Sequence, residues 1–265
     1  MKKTATTLAL LGLASAAHGQ LMIDFNSTTQ GGGPANEPGY QAYDAAHENA
    51  ATFDTKTYSA FGTDVTLTPS WPNTTDSRVQ QAIDRGGNFD ANWVGNNINL
   101  LTDWLGTDSR PGNGGNGNWD GTTGTPTWLD LTLGSIPAGA YSWTSFHHDT
   151  EHMHSPFTVE LNTGSGFTTI GNFQMTDSTP GGNPDSGGLV QTGDVFADPH
   201  DLPSTVNFNF NATGADVVVR ITPLSQIAVH QQFVGINGFE LAVVPEPSGA
   251  LLGLFGLALA LRRRR

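Results

Sequence analysis

Residues 20–244 predict an all-β fold, an antiparallel β-sandwich, and three observations support it. Short apolar-alternating runs recur along the chain, separated by clusters of Gly, Pro, Asn and Asp. Thirty-three glycines and 15 prolines punctuate 265 residues of which only 13% are charged, a composition poor in helix-forming segments. Aromatic residues make up 9% and include six Trp, enough to build a hydrophobic core. That core must suffice by itself: with no cysteine there is no disulfide framework, thiol nucleophile or thiolate metal site.

The strands are expected in the following order. Leu21–Phe25 and Val65–Pro69 come first, then Ile98–Trp104, Trp128–Leu133, Ala140–Phe146, Phe157–Asn162 and Phe167–Phe173. Val206–Phe210, Val217–Thr222 and Val234–Val243 complete the set. Val206-Asn207-Phe208-Asn209-Phe210 alternates cleanly, so one face should be buried and the other wet. Val217-Val218-Val219 is continuous and reads as a strand covered on both faces. Arg78–Asp84 fits either a short helix or an edge strand. Three long connections, 26–51, 106–125 and 174–204, are the places where a compact domain of this size keeps its function.

Composition changes at both ends. Lys2 and Lys3 precede an apolar run, Leu8–Ala17, followed by small residues at Ala14-Ser15-Ala16 and Ala17-His18-Gly19. This is the layout of a cleavable export signal over residues 1–19, with a mature start at Ala17 or Gln20. At the other end, Pro245-Glu246-Pro247 leads through Ser248 into Gly249–Leu261, all Gly, Ala, Leu and Phe, and then Arg262, Arg263, Arg264 and Arg265. As a helix this apolar run spans about 20 Å, against about 30 Å of bilayer hydrocarbon. Crossing would recruit Val243 and Val244 or snorkelling arginines. The arginines hold that end on the cytoplasmic side and leave the body outside, which agrees with the export signal.

The Pro-Glu-Pro motif, the short Gly/Leu/Ala segment and the Arg cluster, in that order, resemble the PEP-CTERM sorting tail of Gram-negative and related bacteria. The resemblance implies recognition by an exosortase-type membrane enzyme, with processing near Pro245–Pro247. Signal peptidase would act at the other end. It also implies transient anchoring through a short C-terminal transmembrane helix, then residence at the cell surface or in the extracellular matrix. The domain plan is therefore signal peptide 1–19, β-sandwich 20–244 and sorting tail 245–265.

Two stretches of the body resemble bacterial galactose-binding-like jelly rolls. Leu131-Thr132-Leu133 with Ile136-Pro137-Ala138-Gly139-Ala140-Tyr141 is similar to a hairpin common in them, Pro137 and Gly139 making the turn and Tyr141 and Trp143 facing the same way. Val234-Gly235-Ile236-Asn237-Gly238-Phe239-Glu240-Leu241 is similar to their last strand, which closes the sandwich beside the first. The resemblance implies a jelly-roll-type sandwich that binds polysaccharide or serves as a structural matrix component.

Charge narrows the partners. Six of the eleven basic residues lie at the two ends, which leaves five against 23 acidic residues in 20–244, a net charge of −18. Such a surface repels phosphate backbones, so nucleic acid is not an expected partner. The acids are mostly Asp, at once a turn former and a ligand for hard cations.

Three features carry candidate chemistry. Phe146-His147-His148-Asp149-Thr150-Glu151-His152-Met153-His154 is expected at a loop or hairpin tip, where His148, Asp149, His152 and His154 are candidate Zn2+ ligands. A polar ligand loop at His148 and Asp149, or a hairpin whose His pair with its own acids, fits the same residues. Asn116-Gly117-Asn118-Trp119-Asp120-Gly121 mimics the first half of a Ca2+ loop, but its twelfth position is Thr127, not Glu. Trp119 within it packs down or meets a ligand. Trp71, Trp93, Trp104 and Trp128 stand near strand edges, where they serve the core or stack on sugar rings. No zinc-protease helix, Gly-x-Ser-x-Gly elbow, P-loop or dinucleotide fingerprint occurs. Catalysis is therefore not expected. A glycan-active hydrolase or lyase is the alternative, because paired carboxylates find their spacing only in three dimensions.

Overall fold

The computed structural model describes residues 19–28, 36–46, 53–72, 81–84, 99–108, 128–149, 156–177, 204–224 and 233–245. They are strands joined by turns, with one 3₁₀ turn at Asn99–Leu101. The first sheet holds β1 (Gln20–Ser27), β2 (Gln41–Ala45), β8 (Gly139–Asp149), β11 (Thr176–Asp177), β12 (Ser204–Ala212) and β15 (Gly238–Val243). Its order is β2-β1-β15-β8, and both β12 and β11 pair with β8. The second sheet runs β10 (Phe167–Gln174), β9 (Pro156–Asn162), β13 (Val217–Pro223), β7 (Leu129–Gly134), β4 (Thr63–Ser70), β3 (Lys56–Ala60). A third, small sheet runs β14 (Phe233–Ile236), β6 (Asp103–Asp108), β5 (Gln81–Asp84).

Alternation makes the core. Leu21, Ile23 and Phe25 of β1, Tyr141 and Trp143 of β8, and Phe239 and Leu241 of β15 point from the first sheet toward the second. Val65, Leu67, Leu129, Leu131, Leu133, Phe157, Val159, Val217, Val219 and Ile221 meet them. Each such side chain contributes about 1.5–3 kcal/mol on burial. Trp143 stacks on Phe239 with centroids 4.4 Å apart and planes 12° apart, and Phe239 continues to Phe25. The first sheet is covered on its outer side as well. Met22, Tyr40, Leu100, Leu101 and Phe146 form a second apolar cluster there, so β1 is buried on both faces.

The expected strands all lie within or across observed ones, with instructive differences. The Leu131–Tyr141 segment is not a hairpin: β7 belongs to the second sheet and β8 to the first, so the turn carries the chain across the sandwich. Ser135 takes φ 62 in that turn, and the Tyr141 hydroxyl donates to Pro137 O at 2.9 Å. Tyr141 and Trp143 do face the same way, into the core. Val217–Val219 alternates instead of being buried on both faces, with Val218 half-exposed. Ile98–Trp104 divides into the 3₁₀ turn and the start of β6, and Arg78–Asp84 holds strand β5 over 81–84. Val234–Val243 breaks at Asn237 into β14 and β15, which lie in different sheets, and β15 pairs antiparallel with β1 as expected of a closing strand. β2, β3 and β11 were not expected, and the β1–β2 and β11–β8 pairs are parallel, departing from a purely antiparallel sandwich. A parallel neighbour needs a long connection, and residues 28–40 supply it.

Candidate functional site

The outward face of the second sheet carries polar side chains in register. One row crosses Ser70, Asp130, Arg220, Glu160 and Thr169; the next crosses Thr68, Thr132, Val218, Asn162 and Phe167. Arg220 thus has an acid on each flanking strand. Its Nε and Nη2 reach Asp130 Oδ1 and Oδ2 at 2.7 and 2.8 Å, a bidentate pair. The Asp130 hydrogen bond comes first among the causes that raise the Arg220 pKa above its ordinary value. The guanidinium lies between two rings, 4.4 Å from Trp128 and 3.9 Å from Phe167. Trp128 Nε1 donates to Asp130 Oδ2 at 3.2 Å, which locks the indole to the same carboxylate. The Arg220 side chain is 22% exposed and Phe167 is 37% exposed, so the stack stands at the surface. Below it, Thr158 Oγ1 donates to Asn172 Oδ1 at 2.9 Å. Trp71 and Trp104 are core residues, whereas Trp128 is the Trp at the surface among the described residues; Trp93 and Trp119 lie outside them.

The histidine segment begins in a strand and not in a loop, because β8 continues to Asp149. His147 and His148 occupy opposite faces, and both are fully buried. His147 Nδ1 is 2.7 Å from Gly235 O and must donate to it, so Nε2 accepts from the Ser145 hydroxyl at 2.9 Å. Burial drives the His147 pKa down to about 4, against the Gly235 hydrogen bond, which raises it. The His148 amide donates to Asn237 Oδ1, and its carbonyl accepts from Asn237 Nδ2. Of the candidate metal ligands, His148 and the backbone of Asp149 are thus placed; His152 and His154 lie outside the described residues. Among the described residues, no group of three His, Asp or Glu side chains is arranged to hold a metal ion.

A third polar region lies under the small sheet. Asp24 and Asn26 occupy the outer face of β1, which an alternating pattern assigns to water, but the Glu37 segment and the third sheet bury them. Asp24 Oδ2 accepts from the Glu37 amide at 2.7 Å. Burial chiefly raises the Asp24 pKa to about 7, with Glu37 and Asp44 adding repulsion. Asp103 faces Asp84 directly across the β5–β6 pair. Burial first, then Asp84, raises the Asp103 pKa to about 9. Sequence reasoning named neither acid, and no local signal marks them: they meet only through the way the sheets stack. Pro245 is the one member of the sorting motif within the described residues; Glu246, Pro247 and Arg262–Arg265 lie outside them, as does most of 1–19. Among the described residues no helix is long and apolar enough to cross a membrane.

The fold and this exposed ring–guanidinium–ring face define an all-β sandwich with a polar, aromatic-bearing sheet surface. No family model matches the chain, and no curated protein does. Among solved structures it is similar to a family 35 carbohydrate binding module from Clostridium thermocellum, at 8% identity over 72% of this chain and 99% of that one, with a TM-score of 0.32. The family 32 module of C. perfringens NanJ in complex with galactose matches at 14% identity over 66% of this chain and 92% of that one, with a TM-score of 0.30. The K2 cleaved adhesin domain of Lys-gingipain matches at 12% identity over 66% of this chain and 90% of that one, with a TM-score of 0.35. Likenesses at this level do not assign a ligand.

Proposed function

We propose that this chain is exported, sorted to the cell surface through its C-terminal tail, and binds carbohydrate on the outer face of its second sheet. The Trp128–Arg220–Phe167 stack carries this reading. A pyranose offers an apolar C–H face that packs on an indole or phenyl ring, and equatorial hydroxyls that need donors and acceptors at its rim. Trp128 and Phe167 supply rings at the surface, held in place by Arg220 and Asp130. Glu160, Thr132, Thr158 and Asn172 supply the rim in register on neighbouring strands. A net charge of −18 over residues 20–244 favours neutral over anionic glycans.

The test is affinity electrophoresis of the full-length chain through gels containing soluble neutral polysaccharides. At least one polysaccharide should retard it, and Trp128→Ala should abolish the retardation with little change in melting temperature. A chain that migrates unretarded through every neutral polysaccharide is a structural matrix component instead.

A further inference from the structure

The outer face of the second sheet holds more than the ring–guanidinium stack. One row crosses the whole sheet: Phe167, Asn162, Val218 and Thr132 stand in register on β10, β9, β13 and β7, and Thr68 follows on β4. Thr55, just before β3, completes it, its hydroxyl 2.7 Å from that of Thr68. Phe167 and Thr55 at the two ends are exposed, and the four residues between them are half-buried, as upright side chains on inner strands are. No residue of the row is charged. Two of its polar groups are already fixed, since Asn162 Oδ1 accepts from the Gly164 and Gly166 amides at 2.8 and 3.0 Å and the two Thr hydroxyls hold each other. Groups held in this way lose less freedom when a ligand arrives.

The row is periodic as well as polar. Neighbouring strands stand about 4.8 Å apart, close to the length of one pyranose unit in a chain, so crossing this sheet takes about 24 Å, or about five units. A lone sugar on the Trp128–Arg220–Phe167 stack uses only the β10–β7 side and leaves Thr68 and Thr55 untouched. Sheets also twist by about 20–25° from strand to strand, so the face turns through roughly 100° along the row. A rigid flat ligand, such as the face of a crystalline polysaccharide, meets one part of such a row and misses the rest. A protein or membrane partner needs a wider apolar patch than the exposed ring of Phe167 offers. A single chain that turns slightly at each linkage can follow all of it. We propose that the ligand is one soluble chain of a neutral linear polysaccharide, lying across the strands from Phe167 to Thr55 with one sugar unit for each strand step. This rests on the carbohydrate reading above and extends it from a sugar at the ring stack to the length, direction and physical state of a polymer.

Calorimetric titration of the full-length chain tests it, with oligosaccharides of increasing length cut from a polysaccharide that retards the protein in gels. Affinity should rise at least tenfold from the disaccharide to the pentasaccharide and then level off, and microcrystalline cellulose or chitin should not sediment the protein. Changing Thr55→Val and Thr68→Val together removes both hydroxyls of one pair, keeps the β-branched shape and leaves no partner orphaned. The double variant should melt at the wild-type temperature, bind the pentasaccharide at least fivefold more weakly, and level off at a shorter length. Affinity that has already levelled off at the mono- or disaccharide overturns the proposal and leaves the carbohydrate reading standing, because the ring stack alone then suffices. A double variant with the wild-type dependence on length, or sedimentation with the crystalline polymers, does the same. A chain that no neutral polysaccharide retards removes both readings together.

Discussion

At the scale of single residues, Asn237 does the most to join the parts. Its side chain accepts from the His148 amide at 2.7 Å and donates to Asp103 O at 2.7 Å and to His148 O at 3.0 Å. Its own amide and carbonyl pair with Phe146 O and the Phe25 amide. One buried residue thereby ties β1, β6 and β8 at the point where the chain passes from the third sheet to the first. Asn237→Asp keeps the shape and one acceptor but turns two donors into acceptors facing carbonyls. A loss of about 3 kcal/mol or more is expected, read as a lower urea midpoint. His147 gives a second residue-scale prediction. Its folded pKa, about 4, lies below the unfolded value of 6.5, so the unfolded state binds the extra proton between them. The stability from keeping it neutral is complete above pH 6.5 and is lost as pH falls toward 4. His147→Gln does not titrate, so the advantage of wild type over this variant should shrink across that window in denaturation measured at several pH values.

At the scale of elements, the small sheet depends on two glycines. Gly106 and Gly235 are paired across β6 and β14, and the Trp104 ring lies over both. A Cβ at Gly235 would sit 2.7 Å from a Trp104 ring carbon, and one at Gly106 would sit 2.2 Å from Val234 O. Gly235→Ala should therefore displace Trp104 and cost about 1–3 kcal/mol, seen as red-shifted Trp fluorescence and a lower melting temperature. This element also marks where sequence reading stopped. The strand positions were legible because alternating residues such as Val206, Phe208 and Phe210 record a two-residue period. Partnership leaves no such record. Nothing near Pro137 reveals that β7 and β8 lie in different sheets, and Asn237 looks like any strand residue. Arg220 and Asp130 are 90 residues apart and meet only through register. Trp128 was legible as a candidate and Arg220 was not. The two-residue period of β1 puts Asp24 on the face opposite Ile23, and the third sheet that covers that face is a tertiary fact.

For the whole molecule, the start of the first described strand lies beside the end of the last. β1 and β15 are antiparallel neighbours with Gln20 opposite Ala242, and Val243 N donates to Gly19 O at 3.0 Å. The start of β1 therefore stands beside the end of β15, at one end of this central strand pair. On the proposed route, both processing events act on chain that adjoins this end of the β1–β15 pair. A cut before Ala17 keeps the Gly19 carbonyl that Val243 uses, whereas a cut before Gln20 removes it, at a cost of about 1 kcal/mol. The sorting tail can be removed beyond Val244, whose amide donates to Ala140 O at 2.9 Å, without disturbing a strand pair. Removal of both ends takes away six of eleven basic residues and leaves residues 20–244 at −18. Mass spectrometry of the surface-extracted protein should find an N-terminus at Ala17 more often than at Gln20, and no peptide carrying Arg262–Arg265. The same protein from a strain lacking the sorting enzyme should retain those arginines and stay with the membrane fraction. Intact Arg262–Arg265 on surface protein from the wild-type strain would overturn the processing reading and leave the tail as a lasting anchor.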